Sequence, residues 1–230
     1  MLWYKAWLET RWRILLMFAI ILFAIFEIHS RTEPSAPIAV VIRSLRGLQM
    51  VWVVSPLMLA GAGVRTDSPF RMMKGVQNSM YFTLALPVSR LKLLATRVAF
   101  GLLAISGVIV VGCSIAAVAI PGLTSQVTAA IGVEYAFTVF LCSCGAFGVS
   151  TMFATFLDQQ WQMFASMFVV FGVRWLLISQ TDASYDFFRA VGQASPLVRH
   201  LMPWPAISVS VGIFVTCLLA AWQIEKSRQF

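Results

Sequence analysis

The chain has little charge: Asp, Glu, Lys and Arg together make up 11% of its 230 residues, and there are two histidines. Soluble domains usually carry about 25% charged and about 45–50% apolar residues. Here the hydrophobic fraction is 60% and the mean hydropathy is +0.84. Such a shortage of polar surface excludes an ordinary soluble enzyme and a disordered protein, and it indicates a polytopic membrane protein.

Side chains that carry catalysis or bind metals are also scarce. His29 and His200 are far apart and belong to no metal-binding motif, and neither a nucleophile–base pattern nor a G-x-x-x-x-G-K-[ST] phosphate loop is present. We therefore expect a chain that is not itself an enzyme and holds no cofactor or metal. The cysteines lie inside apolar runs, which argues against a disulfide framework and predicts small core residues: Cys113, Cys142, Cys144 and Cys217.

Long apolar runs are what the chain does contain. A helix needs about 20 mostly apolar residues to cross a bilayer. We predict an all-α polytopic fold with six transmembrane helices in a single domain over residues 1–230. The predicted spans are 14–28, 45–64, 98–120, 128–157, 161–179 and 206–224. The first run also has the basic flank of a signal peptide, but Glu27 inside it and the lack of a small-residue cleavage site favour a retained helix.

The net charge of +8 agrees with the positive-inside rule. With the N- and C-termini in the cytoplasm, most Lys and Arg residues flank the spans on the cytoplasmic side, although Arg43 and Arg46 fall outside. Because the flanks account for the basic residues, a nucleic-acid partner is not needed to explain them. We predict a multi-pass protein of the inner (cytoplasmic) cell membrane.

Residues 1–13 predict an amphipathic interfacial helix before the first span. Trp3, Trp7 and Trp12 are large aromatic residues of the kind that concentrate at lipid headgroups. The alternative is that the segment simply extends the first span.

Residues 65–97 predict a short cytosolic helix joined to the third span. Ser68 and Pro69 suit a helix start, Pro87 ends the helix, and Ser89 is placed to cap the next one. An apolar face at i+4 spacing is formed by Met72, Val76, Met80 and Leu84. This face could dock a cytosolic partner or lie on the membrane, and the segment could also be a basic loop that only sets topology.

Residues 84–90 read L-A-L-P-V-S-R and resemble the L-x-L-P-V-S-R segment of ABC-2 type transporter permeases. Gly75 matches a glycine common before that segment in the family. The six-span plan, the N-terminal "elbow" helix and a Ser195-Pro196 pair before the last span are also similar. The chain departs from the family where acidic residues often precede the glycine, because it has Arg71, Met72, Met73 and Lys74 there.

The resemblance implies the permease subunit of an ABC exporter. Such a subunit pairs with a second permease copy, identical or different, and docks a separate ATPase that binds ATP and Mg²⁺. The residues expected to couple to that ATPase are Met72, Met73, Gly75, Val76, Met80, Leu84, Leu86, Pro87, Ser89 and Arg90. The alternative function is a non-transporting membrane scaffold or assembly factor.

Three charged residues fall inside predicted spans at similar depth near the outer side: Glu27, Glu134 and Arg174. A charge within the bilayer is costly and is usually paired or faces water. We expect a buried pair between Arg174 and a glutamate. The alternatives are a polar lining for a substrate path or exposure at the outer interface.

Residues 180–205 mix apolar and polar residues at helical spacing, and Ser195 and Pro196 interrupt them. This pattern predicts two short helices that dip back into the outer leaflet, where non-helical backbone must be covered by protein or water. The resemblance suggests an outer gate at Ser195 and Pro196, and the alternative is an interfacial loop.

Overall fold

The structure is a computed structural model that describes residues 2–31, 46–60, 89–120, 127–157, 159–180 and 183–227. Within these ranges every regular element is helical, as predicted. The helices are α1 Leu2–Arg31, α2 Arg46–Leu59, α3 Arg90–Ala119, α4 Ala129–Ala154, α5 Gln159–Gln180, α6 Phe187–Val191, α7 Pro196–Arg199 and α8 Trp204–Ser227. A 3-10 turn, Ala183–Tyr185, precedes α6.

Five of these helices are long and apolar enough to cross a membrane: α1, α3, α4, α5 and α8. The sixth predicted span corresponds to α2, which has 14 residues and rises about 21 Å, less than the bilayer's hydrocarbon thickness of about 30 Å. Residues 45 and 61–64 of that predicted span lie outside the described residues. Five spans therefore match the sequence prediction, and the count of six stays a prediction.

The N-terminal segment and the first predicted span form one continuous helix, and the candidate span within it begins at Thr10, so the interfacial helix over residues 1–13 stays a prediction. Neither glycine nor proline occurs in α1, and thus nothing in its sequence breaks the helix. The rings of Trp3 and Trp7 pack edge-on against Phe100 of α3, with centroids 6.1 and 6.5 Å apart. These aromatic residues hold the start of α1 against α3.

Helix α4 occupies the centre of the bundle. Every residue from Cys142 to Thr151 is buried, so the helix is covered on all sides. Small residues let its neighbours approach closely. The hydroxyl of Ser210 on α8 accepts a hydrogen bond from the Gly145 N–H at 3.1 Å and lies 2.9 Å from the carbonyl oxygens of Leu141 and Cys142. The predicted role of the cysteines as core residues agrees with the burial of Cys142 and Cys144, both of which are free thiols.

A proline inside α2 is accommodated by a hydroxyl from α4. Pro56 has no N–H to donate to the carbonyl of Trp52 four residues earlier. The hydroxyl of Ser143 donates to that carbonyl instead, at 2.9 Å, and both side chains are buried. A neighbouring helix thus satisfies the backbone group that the proline leaves without its usual donor.

Replacing Ser143 by Ala is expected to lower the free energy of unfolding by about 1 kcal/mol, because the buried Trp52 carbonyl loses its donor. In a Pro56→Ala background the new backbone N–H can bond that carbonyl, so the second substitution should cost less. Unfolding titrations in mixed micelles on the wild type, both single variants and the double variant measure this coupling. If Ser143→Ala lowers the free energy of unfolding equally in both backgrounds, the Ser143 hydroxyl does not replace the N–H that Pro56 lacks.

Candidate functional site

Most residues of the predicted coupling segment lie outside the described residues: Met72, Met73, Gly75, Val76, Met80, Leu84, Leu86 and Pro87. The structure does describe the point where this segment joins α3. The hydroxyl of Ser89 accepts a hydrogen bond from the Lys92 N–H at 3.3 Å and caps the helix, which confirms the predicted cap. Arg90 is the first residue of that helix.

The other end of the segment begins after α2, whose last carbonyls are bonded by side chains from three helices. The carbonyl of Met58 accepts from Arg13 of α1 at 3.1 Å, and that of Leu57 accepts from Ser150 of α4 at 3.1 Å. The amide of Gln162 on α5 donates to the carbonyl of Ala60 at 2.9 Å. These are the carbonyls that a helix end leaves without intrahelical donors, and a cation there also suits the helix dipole.

Gln162 holds this junction together, because it is buried and its amide nitrogen also lies 3.2 Å from the carbonyl oxygen and 3.0 Å from the hydroxyl of Ser150. The end of α2 is therefore fixed to α1, α4 and α5 at the place where the chain enters residues 61–88. Sequence reasoning did not predict this contact of Arg13 and did not single out Gln162. A glutamine one residue into an apolar span was the available signal, since buried polar side chains there need partners.

The ion pair of Arg174 differs from the prediction. Its Nε lies 3.6 Å from Oδ2 of Asp186, so the carboxylate at the guanidinium comes from the loop between α5 and α8 and not from Glu27 or Glu134. The correction has a physical reason, because the short helix after Asp186 packs against α4 and brings this aspartate to α5. Glu27 and Glu134 have exposed side chains.

Asp186 and Arg174 form a compact cluster with aromatic rings. Asp186 is 4% exposed, and its Oδ1 accepts a hydrogen bond from the Phe188 N–H at 2.9 Å, which caps α6. The guanidinium carbon of Arg174 lies 4.6 Å from the centroid of the Phe188 ring, a cation–π contact. Phe171 of α5 stacks on the same Phe188 ring, with the ring centroids 5.6 Å apart. A single aspartate thus joins an intramembrane cation to the start of a buried loop helix.

The loop between α5 and α8, predicted to lie on the outer side, contains the two short helices that were predicted, α6 and α7. Ser195 is the N-cap residue of α7 and Pro196 its first helical residue, and both are buried. Both short helices pack against α4, so the loop is covered by protein. The contacts described for Arg174 and Asp186 do not involve Ser195 or Pro196. The role of Ser195 and Pro196 as a gate stays a prediction.

Among the described residues no group of three or more His, Cys, Asp or Glu side chains could hold a metal ion. His200 is exposed and adopts a left-handed backbone conformation with φ of 53° at the end of α7. Comparisons of the chain with family models, curated proteins and solved structures return no match.

Proposed function

We propose that the chain is the membrane-spanning permease subunit of an ABC-2 type transporter, which exports a substrate from the cytoplasm. One observation carries the proposal: the L-x-L-P-V-S-R run leads directly into a long apolar helix. Its serine, Ser89, is the N-cap of that 30-residue helix, α3. The motif thus lies where a cytosolic segment would pass its movement to a span.

The hydrogen bonds of the residues that flank 61–88 support a coupling role. On one side the segment follows Ala60, which is bonded to α5 through Gln162, and on the other it precedes the capped start of α3. A force on this segment would act on several helices together, because the end of α2 is bonded to α1, α4 and α5. In the proposed cycle the partner ATPase binds ATP and Mg²⁺, closes, and moves the segment, and the helices switch from inward to outward access.

The orientation of the helices agrees with alternating spans that leave both termini on one side, which we propose is the cytoplasm. Residues near the start of α1, the end of α2 and the start of α5 meet at one end of the bundle, as alternating spans require. Arg174 and Asp186 meet near the opposite end. We propose that this outer cluster holds the loop that includes Ser195 and Pro196 closed, and that its opening releases substrate. A second permease copy completes the transporter.

Co-purification with an ABC ATPase encoded beside this chain tests the proposal. Val76→Asp places a charge on the apolar face of the predicted coupling helix, where burial against a partner would be costly. We expect recovery of the ATPase to fall about tenfold or more, because a buried aliphatic contact contributes about 1.5–3 kcal/mol. Quantitative blotting of the ATPase recovered from matched detergent or nanodisc preparations gives the result.

Asn78→Asp is the matched control, since it adds the same charge two residues away, on the opposite side of a helix. It should leave ATPase recovery close to the wild-type level. If the wild-type chain recovers no ATPase, the permease assignment fails and the scaffold function is favoured. Equal loss in both variants would mean that charge alone, and not the apolar face, governs docking.

A further inference from the structure

A cleft opens at the same end of the bundle as the α2 junction, between α1, α2 and α5. It has a volume of about 460 Å³, within the range of about 300–1,000 Å³ that small-molecule sites occupy. Its walls are formed by residues that include Arg13, Leu16, Met58, Gln162, Met163 and Phe164. The side chains of Leu16 and Phe164 are exposed, so the cleft is open towards the surroundings of the bundle.

The chemistry of this cleft is amphipathic. The guanidinium of Arg13 lies beside aliphatic, thioether and aromatic side chains that also line the cleft. The guanidinium is oriented by its hydrogen bond to the Met58 carbonyl at 3.1 Å. An arginine presents five N–H donors in a planar fork, which suits the oxygens of a phosphate. The deep wall is held in place by the hydrogen bonds of Gln162.

The depth of the cleft in the bilayer follows from its neighbours. Trp12 precedes Arg13 on α1, Trp161 precedes Gln162 on α5, and both indoles are exposed. Tryptophans at the ends of spans lie at the level of the lipid headgroups. The positive charge in the cleft is therefore at headgroup level, and the apolar walls extend from it along the spans. Basic pockets between spans on the cytoplasmic side suit acidic lipid headgroups.

We propose that this cleft binds an anionic phospholipid, with its phosphate at Arg13 and an acyl chain along Leu16, Met163 and Phe164. The bound lipid would fill the space between α1 and α5 and brace the end of α2. This goes beyond the proposed transport function, because it requires neither an ATPase nor a substrate. The stability of the α2 end, where the chain enters residues 61–88, would then depend on the lipid composition of the membrane.

Native mass spectrometry of the full-length chain tests the proposal, with dioleoyl phosphatidylglycerol and dioleoyl phosphatidylcholine offered at equal concentration. The wild type should retain the anionic lipid about tenfold more than the zwitterionic one. Arg13→Gln should lower retention of phosphatidylglycerol about tenfold, the loss expected for one charge-assisted contact. Arg11→Gln is the matched control, because Arg11 is exposed and is not among the residues that line the cleft. It should retain the lipid as the wild type does.

A second variant keeps the test independent of the folding of Arg13→Gln. Met163→Trp fills the cleft without changing charge and should also lower phosphatidylglycerol retention. An excess of soluble glycerol phosphate should not displace the lipid, because it lacks the acyl chains. Equal retention of both lipids by the wild type would overturn the proposal. So would equal losses in the Arg11 and Arg13 variants, unchanged retention in Met163→Trp, or displacement by glycerol phosphate.

Discussion

Asp186→Ala is expected to lower the free energy of unfolding by about 3–4 kcal/mol. Breaking the contact with Arg174 leaves a cation without its carboxylate, which costs about 2–3 kcal/mol at a site where the arginine is 29% exposed. Loss of the hydrogen bond from the Phe188 N–H removes the cap of α6 and costs about 1 kcal/mol more. Titration with denaturing detergent in mixed micelles, followed by tryptophan fluorescence, measures the change.

Asp186→Asn separates the two contributions. Asparagine caps a helix as well as aspartate does but has no charge. This variant should therefore lose only the part of the unfolding free energy that comes from the contact with Arg174. In an Arg174→Met background, Asp186→Asn should cost less than in the wild type, because the cation is already gone. If Asp186→Asn costs nothing in the wild type, the charge contact contributes no stability and the cap alone explains the Asp186→Ala loss.

Gly148→Ala is expected to lower the free energy of unfolding by about 2 kcal/mol. A Cβ at this position would lie 2.8 Å from Cα and 3.0 Å from Cδ2 of Phe214 on α8. The first of these atoms belongs to the backbone and cannot rotate away, so α4 and α8 must separate. Overpacking of this kind costs about 1–3 kcal/mol and outweighs the gain of up to about 1 kcal/mol from replacing a helical glycine. The same mixed-micelle titration measures the change.

Gly132→Ala provides the control on the same helix. An added Cβ at Gly132 has no heavy atom within 4 Å, so the substitution should stabilise α4 slightly through helix propensity alone. The two glycine variants should therefore differ in sign. A loss at Gly148 no larger than the change at Gly132 would show that the approach of α4 to α8 does not limit packing.

The spans could be predicted from the sequence because hydropathy along the chain is a local property. The predicted span 206–224 lies within α8, and 161–179 lies within α5. One helix start also followed from local chemistry, because Ser89 caps α3 as predicted. This cap depends on residues within one helical turn, which the sequence shows directly.

The contacts of the polar side chains could not be predicted in the same way. Arg174 was expected to meet a glutamate, since depth in the bilayer restricts the candidates without selecting one. Asp186 meets it because the loop folds back against α4. The packing of Trp3 against Phe100 was also not predicted, because a tryptophan suits a headgroup layer and a packing surface equally well, and Phe100 is distant in sequence.

By itself the sequence determined that the chain is an apolar helical protein with long apolar helices, where most of those helices lie, and that Ser89 caps one of them. Hydrophobicity and capping act over a few neighbouring residues, so they can be deduced from the amino-acid sequence alone. Tertiary structure alone decided that the Ser143 hydroxyl donates to the Trp52 carbonyl. It also decided that Gln162 bonds the end of α2 and that Asp186 contacts Arg174. Those pairings depend on which helices stand side by side, because a buried polar group bonds with whatever donor or acceptor the packing brings within reach.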